Sequence, residues 1–144
     1  MPKLLPRDDV GFLIADLARS MRGAFARQLE GTGPTLAQAR ALLYVARNEG
    51  MRQVELSELL EVQPITLARL IDQLQRSGLV ERRADLEDGR AYRIFLTPAS
   101  GRQLATIERV AAAIRKKALQ GIGEQEARLV TSALRRMRQN LSAS

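Results

Sequence analysis

Apolar residues recur mostly three or four positions apart in this chain, the spacing that gathers them on one face of a helix. Leu13, Ile14, Leu17, Met21 and Phe25 follow that spacing, and either Asp8 or Asp9 can cap the helix they predict. Gly31-Thr32-Gly33-Pro34 breaks the pattern. Thr35-Leu36-Ala37-Gln38 then reads as a capping box, in which Gln38 reaches back to the cap. A second helix over about 35–48 buries Leu36, Ala39, Leu42, Leu43 and Ala46, and Asn48-Glu49-Gly50 ends it with a C′ glycine.

A short helix follows from about Val54 to Leu60, with Leu56, Leu59 and Leu60 apolar. A fourth helix runs from about Pro64, which suits a first helical turn, to Arg76 and stops at Ser77-Gly78. Two short strand-like runs come next, Leu79–Ala84 and Arg93–Leu96, and the Asp88-Gly89 between them is a hairpin signal. Thr97-Pro98 is an N-cap followed by proline, so a long helix starts there and extends to about Gln120. Gly121-Ile122-Gly123 separates it from a last helix over 124–141. The predicted fold is mainly α with a small β-hairpin. A short helix, a three-residue turn, a second helix and then a hairpin at once are the order of a winged helix-turn-helix.

With 144 residues the chain has the size of one domain and is treated as a single unit. Its DNA-reading region is expected over 35–97, flanked by helical regions over 8–31 and 98–141. Aromatic residues are only 3 %, so Leu, Ile, Val and Ala must fill the core. Cysteine and histidine are both absent, which removes disulfides, zinc sites, thiol sensing and catalysis by imidazole or thiolate. No cofactor and no metal are expected. Met1–Asp9 has no apolar segment of the kind found in secretory leaders, and no run approaches membrane-spanning length. A soluble, cytoplasmic protein is the expectation.

The net charge of +7 points to a polyanionic partner, but its distribution does not point to the hairpin region. Residues 51–100 carry seven basic and eight acidic side chains, whereas residues 101–144 carry nine and three. The C-terminal excess fits a solvated face of the last two helices, and alternatively a surface toward phosphate or an anionic effector. The placement of individual arginines must therefore carry the argument for nucleic acid.

Leu67, Leu70, Ile71 and Leu74 fall on one face of the fourth helix, and Thr66, Arg69, Gln73 and Arg76 on the other. The second set suits a major groove: arginine pairs with guanine O6 and N7, glutamine with adenine N6 and N7, and threonine meets a phosphate or a thymine methyl. An ordinary solvated face has the same periodicity, and Asp72 can pair with Arg69 or Arg76. The hairpin tips the balance. Arg90 beside its apex is suited to a narrow, electronegative minor groove, and Asp88 can orient its guanidinium by a bidentate pair. Arg82, Arg83 and Arg93 on the flanking strands can meet phosphates. The last helix repeats Leu129, Val130, Ala133, Leu134, Met137 and Leu141, too apolar a stripe to face water on a small domain.

Three segments together resemble the MarR/SlyA family of transcription regulators: Gly78-Leu79-Val80-Glu81-Arg82-Arg83, Asp88-Gly89-Arg90 and Leu96-Thr97-Pro98. The stretch from Leu59 through Thr66, Arg69, Leu74 and Gly78 is similar to the family's recognition helix. The resemblance implies a homodimer in which the N-terminal helix and the last two helices intertwine. Its two winged domains would read a pseudo-palindrome in double-stranded DNA. It further implies repression that is relieved by a small aromatic or phenolic anion. By position, Thr66 and Arg69 match recognition-helix contacts, Arg90 the wing-tip arginine and Asp88 its orienting partner. The chain departs from the family at Gly89, where a second arginine is common. Its lack of cysteine and histidine disfavours redox and metal sensing. Arg19, Arg22 and Arg40 are possible partners for an anionic effector.

Two other classes compete with this reading. An enzyme is not expected, since the chain has no phosphate-binding or dinucleotide-binding glycine loop, no Gly-x-Ser-x-Gly elbow and no metal-ligand cluster. A winged-helix protein-interaction module without direct DNA binding is the alternative, and the net negative charge of residues 51–100 favours it mildly.

Overall fold

The structure is a computed structural model and describes residues 8–142, so most of the Met1–Asp9 segment read above lies outside the described residues. The first helix, α1, is Val10–Leu29, and Asp9 caps it: its Oδ2 accepts the Gly11 N–H at 3.0 Å. The second, α2, is Leu36–Arg47, and its capping box is complete. Gln38 N–H donates to Thr35 Oγ1 at 3.2 Å and Thr35 N–H donates to Gln38 Oε1 at 3.0 Å. The buried face of α2 is Ala39, Ala41, Leu42 and Val45, whereas Ala46 is exposed. The expected stripe was thus displaced at its end, because alanine periodicity alone does not fix which side turns inward. The left-handed glycine also falls one residue later than C′. Asn48 is the C-cap and Gly50, at φ +87°, packs so closely on Phe95 that an added Cβ would lie 3.3 Å from the ring.

Helices α3 (Gln53–Leu60) and α4 (Pro64–Arg76) are joined by Glu61, Val62 and Gln63. Glu61 turns the chain at φ +55°, a left-handed conformation that a side chain disfavours. Strands β1 (Val80–Ala84) and β2 (Tyr92–Leu96) pair antiparallel, from Val80 opposite Leu96 to Ala84 opposite Tyr92. A single residue, Arg52, adds a bridge to Arg93 on the far side of β2, and Gly50 N–H donates to Ile94 O at 2.9 Å. One bridging residue leaves no alternation in the sequence, so this contact was not expected. Leu42, Val45, Leu56, Leu67, Ile71, Leu74, Val80, Ile94 and Ile107 form the core on which α2, α3, α4 and the hairpin meet.

Thr97 does not cap the next helix with its side chain. Its Oγ1 instead donates to the Gly78 carbonyl at 2.5 Å, tying the end of β2 to the end of α4. A 3-10 turn at Pro98–Ser100 precedes α5 (Gly101–Ala118), and α6 is Glu124–Ser142. The chain divides into two compact units, Met1–Ala111 and Ala112–Ser144. In the first, α1 leaves Val10, Phe12, Leu13, Ile14, Leu17 and Met21 between 36 % and 55 % exposed. In the second, α6 has no buried residue, and Leu129, Val130, Leu134 and Leu141 are all exposed.

Candidate nucleic-acid interface

Helix α4 begins with Pro64 at its first position, which removes one amide hydrogen that would have had no helical partner. Leu67, Ile71 and Leu74 are buried and hold the helix against the core, while Thr66, Arg69, Gln73 and Arg76 are exposed along one side. Within this row the Arg69 guanidinium has no ion pair or hydrogen bond to any described residue. Asp72 does not pair with Arg69 or Arg76 as expected: its carboxylate takes Arg82 at 2.5 Å. Among the described residues Arg76 reaches only the Asp72 backbone oxygen, at 3.4 Å. The one acid on this helix is therefore neutralised from the hairpin, leaving Arg69 and Arg76 as the net charge of the exposed row. Gln73 Oε1 accepts from Gln38 Nε2 of α2 at 3.4 Å.

The wing loop runs from Asp85 to Ala91, wider than a two-residue turn. Asp88 does not hold the Arg90 guanidinium. Its Oδ1 accepts the backbone N–H of Arg90 at 3.0 Å, and its carbonyl accepts Ala91 N–H at 3.0 Å. An aspartate two residues before an amide closes an Asx turn more readily than it reaches an arginine end. The arginine side chain is consequently exposed, with no hydrogen-bond partner among the described residues. Gly89 is outside the left-handed region and an added Cβ would meet nothing within 4 Å, so the turn itself does not require glycine.

The three arginines expected to meet phosphates are tied within the protein. Arg82, only 17 % exposed, donates to Gln53 Oε1 at 2.9 Å, to the Ala68 carbonyl at 3.0 Å and to Asp72, and so links α3, α4 and β1. Arg83 pairs with Glu81 and lies 3.9 Å from the centre of the Phe95 ring. Arg93 donates to the Gly50 carbonyl at 2.8 Å and approaches Asp85 at 3.4 Å. Asp85 is 4 % exposed and accepts Arg52 Nε at 2.6 Å and Glu87 N–H at 2.9 Å. The Glu87 amide, aided by Arg52 and Arg93 and opposed by burial, holds the Asp85 carboxyl below its ordinary value. Sequence reasoning missed this cluster because Arg52 and Asp85 are 33 residues apart and no periodicity links them.

Asp72, Gln75, Arg76 and Arg82 line a cavity of about 560 Å³ beside α4. Of the arginines considered for an anionic effector, Arg19 already pairs with Asp16 at 2.8 Å. Among the described residues no cluster of acids could hold a metal ion, and no helix is long and apolar enough to cross a membrane.

A family model described as the MarR family matches residues 32–91, the segment that contains α2, α3, α4 and most of the wing. Among solved structures, the transcriptional regulator PA3341 is 39 % identical, with a TM-score of 0.80 over 94 % of this chain and 100 % of that one. A structure of MarR is 27 % identical, with a TM-score of 0.83 over 98 % of this chain and 97 % of its own. The transcriptional regulator SlyA is 29 % identical, with a TM-score of 0.76 over 94 % of this chain and 95 % of its own. The similarity extends through α1, α5 and α6 as well as the winged segment, and its order of elements is the one the residues predict. The chain belongs to the MarR family of transcriptional regulators.

Proposed function

We propose that this chain is a sequence-specific regulator that binds double-stranded DNA as a homodimer on a pseudo-palindromic operator. The observation that carries the reading is a sorting of arginines within residues 51–100. Arg52, Arg82, Arg83 and Arg93 are held by the protein's own acids and carbonyls. Arg69 on α4 and Arg90 on the wing are exposed and hold none of these partners. One set held by the protein and one open set are what a reader needs: a rigid scaffold, and guanidinium groups ready for base edges and phosphates. Thr66, Gln73 and Arg76 complete the helix row, and Asp88 shapes the wing backbone from which Arg90 extends.

The reading region is 35–97. Dimerisation is assigned to 8–31 and 98–141, because the apolar rows of α1 and α6 are left exposed in the single chain. Repression relieved by a small aromatic or phenolic anion rests on the family resemblance. The test is selection of bound fragments from the source genome, followed by a salt titration on the enriched duplex. A DNA reader loses affinity steeply as salt rises, by about one logarithmic unit per contacted phosphate per tenfold change. A protein-interaction module without DNA binding enriches no fragment. Release of the enriched duplex by simple aromatic carboxylates or phenols then tests the effector.

A further inference from the structure

The capping box of α2 and the exposed row of α4 meet at one side chain, Gln38. Its Oε1 accepts the backbone N–H of Thr35 at 3.0 Å. A backbone N–H can only donate, so the oxygen of Gln38 is fixed on the side of the cap. The Nε2 group is thereby turned the other way, where it lies 3.4 Å from Gln73 Oε1. Since that Nε2 can only donate, the atom of Gln73 facing it must be the carbonyl oxygen. The orientation of two carboxamides in succession thus follows from one main-chain hydrogen.

We infer that Gln38 is a positioning residue of the DNA interface, presetting the Gln73 carboxamide to pair with the major-groove edge of adenine. The inference rests on the reading of α4 as the DNA-facing helix. Adenine offers N6–H as donor and N7 as acceptor, so glutamine must present its oxygen and its Nε2 in a fixed order. Gln73 Oε1 has two lone pairs, and one serves Gln38 while the other remains for adenine N6–H. Its Nε2, which has no bond among the described residues, then donates to N7. An unbraced glutamine can present its two ends in either order, and each order suits different bases. Bracing from α2 removes the wrong one before DNA arrives, which lowers the ordering cost of binding. Gln38 itself needs no base contact. Its role is carried through Gln73.

The experiment is selection from a randomised duplex library by the full-length wild type, by Gln73→Ala and by Gln38→Glu. Glutamate at the third helical position still accepts the cap N–H, so Gln38→Glu keeps the capping box and the fold but has no donor for Gln73. Its added negative charge weakens binding to all sequences alike, so the readout is the ratio of adenine to other bases at one position. Wild type is expected to enrich adenine at one position in each half-site. Both variants are expected to lose about tenfold of that discrimination, with an unchanged unfolding midpoint for Gln38→Glu. A Gln38→Glu pool with wild-type discrimination overturns the inference. A Gln73→Ala pool identical to wild type overturns it as well, while leaving α4 as a DNA reader. A wild-type chain that enriches no sequence removes the DNA reading and this inference with it.

Discussion

Arg82 of β1 sits 2.5 Å from the carboxylate of Asp72 on α4, and this pair fastens the wing to the helix beside it. The same guanidinium donates to Gln53 Oε1 of α3 and to the Ala68 carbonyl, so one side chain spans three elements. Arginine is suited to this because its five donors leave a planar fork in fixed directions. Asp72 is half exposed, so the ion pair by itself adds little and the part-buried hydrogen bonds to Gln53 and Ala68 matter more. Arg82→Ala is therefore expected to destabilise the protein by about 1–3 kcal/mol, measured by urea unfolding. Because the wing then shifts as a body, affinity should fall on operator and random duplex alike. Unaltered stability would return Arg82 to the role of a phosphate contact.

The buried carboxylate of Asp85 carries a pH dependence whose sign follows from its lowered pKa. A carboxyl that ionises more readily in the folded state than in the unfolded one stabilises the fold once it is charged. That contribution is complete above the unfolded value of 3.8 and is lost as pH falls through the lower folded value. Wild type should thus lose stability on acidification into this range. Asp85→Asn should be weaker at neutral pH, because Arg52 and Arg93 lose their shared counter-charge, and flatter in acid. Urea midpoints followed from neutral pH downward check this, and parallel curves for the two proteins would contradict it.

The elements and most caps of this fold were legible in the sequence, and the hydrogen-bond network was not. Thr35 and Gln38 announced α2 because a capping box is a local signal, complete within four residues. Leu67, Ile71 and Leu74 likewise gave the inner face of α4 by spacing alone. The arginines were different. Arg69 and Arg82 are alike in sequence, and only the approach of Asp72, Gln53 and Ala68 makes one a brace and leaves the other open. Asp88 shows the same limit at short range: it was placed correctly in the turn, but its oxygen met the amide of Arg90 before it could meet the guanidinium. Thr97 had the sequence of a cap, yet its hydroxyl donates to the Gly78 carbonyl and makes no side-chain cap bond.

The turn between α3 and α4 stores strain that a single substitution relieves. Glu61 holds φ +55°, where a Cβ crowds the backbone, and among the described residues its side chain makes no hydrogen bond or ion pair. Glu61→Gly removes the crowding but adds freedom to the unfolded chain, so the two effects partly offset each other. The strain relieved, about 1–2 kcal/mol, exceeds the roughly 0.5–1 kcal/mol of added chain freedom, so a small net gain is expected, read as a higher thermal midpoint. A loss of stability would mean that the Glu61 side chain contributes packing that outweighs its strain.

Exposed apolar rows give the dimer hypothesis its test. Leu17 on α1 and Leu134 on α6 are 52 % and 45 % exposed in the single chain. If a second copy covers them, Leu17→Glu and Leu134→Glu each place a charge in a dry interface, and each should shift sedimentation toward the monomer. Both should also abolish tight operator binding, since two half-sites can no longer be held together. Wild-type sedimentation in both variants would remove these helices from the interface.

At the base of the recognition argument, Arg69 distinguishes base reading from simple attraction. If its guanidinium pairs with a guanine edge, Arg69→Ala should cost about 1–3 kcal/mol on the operator and relax preference at one position in each half-site. Arg69→Lys should not fully restore it, because an ammonium lacks the two-pronged geometry. Folding should change by less than about 0.5 kcal/mol, as for most exposed positions. Equal losses on operator and random duplex would make Arg69 a phosphate contact.

Arg90 offers the measurement that separates a winged reader from a bare helix-turn-helix. Its side chain is exposed on a loop whose backbone is shaped by Asp88, and nothing in the described residues holds its guanidinium back. A·T-rich flanks narrow the minor groove and deepen its negative potential, which attracts an arginine of this kind. Arg90→Ala should weaken binding strongly to operators with A·T-rich flanks and little to those with G·C-rich flanks, while stability is unchanged. Asp88→Ala acts differently from a loss of the arginine, because it releases the Arg90 amide and loosens the loop. Its defect should be milder, and it should be accompanied by faster amide exchange at Arg90 and Ala91. If wild type and Arg90→Ala rank the two kinds of flank identically, Arg90 does not enter the minor groove and the wing is a structural hairpin.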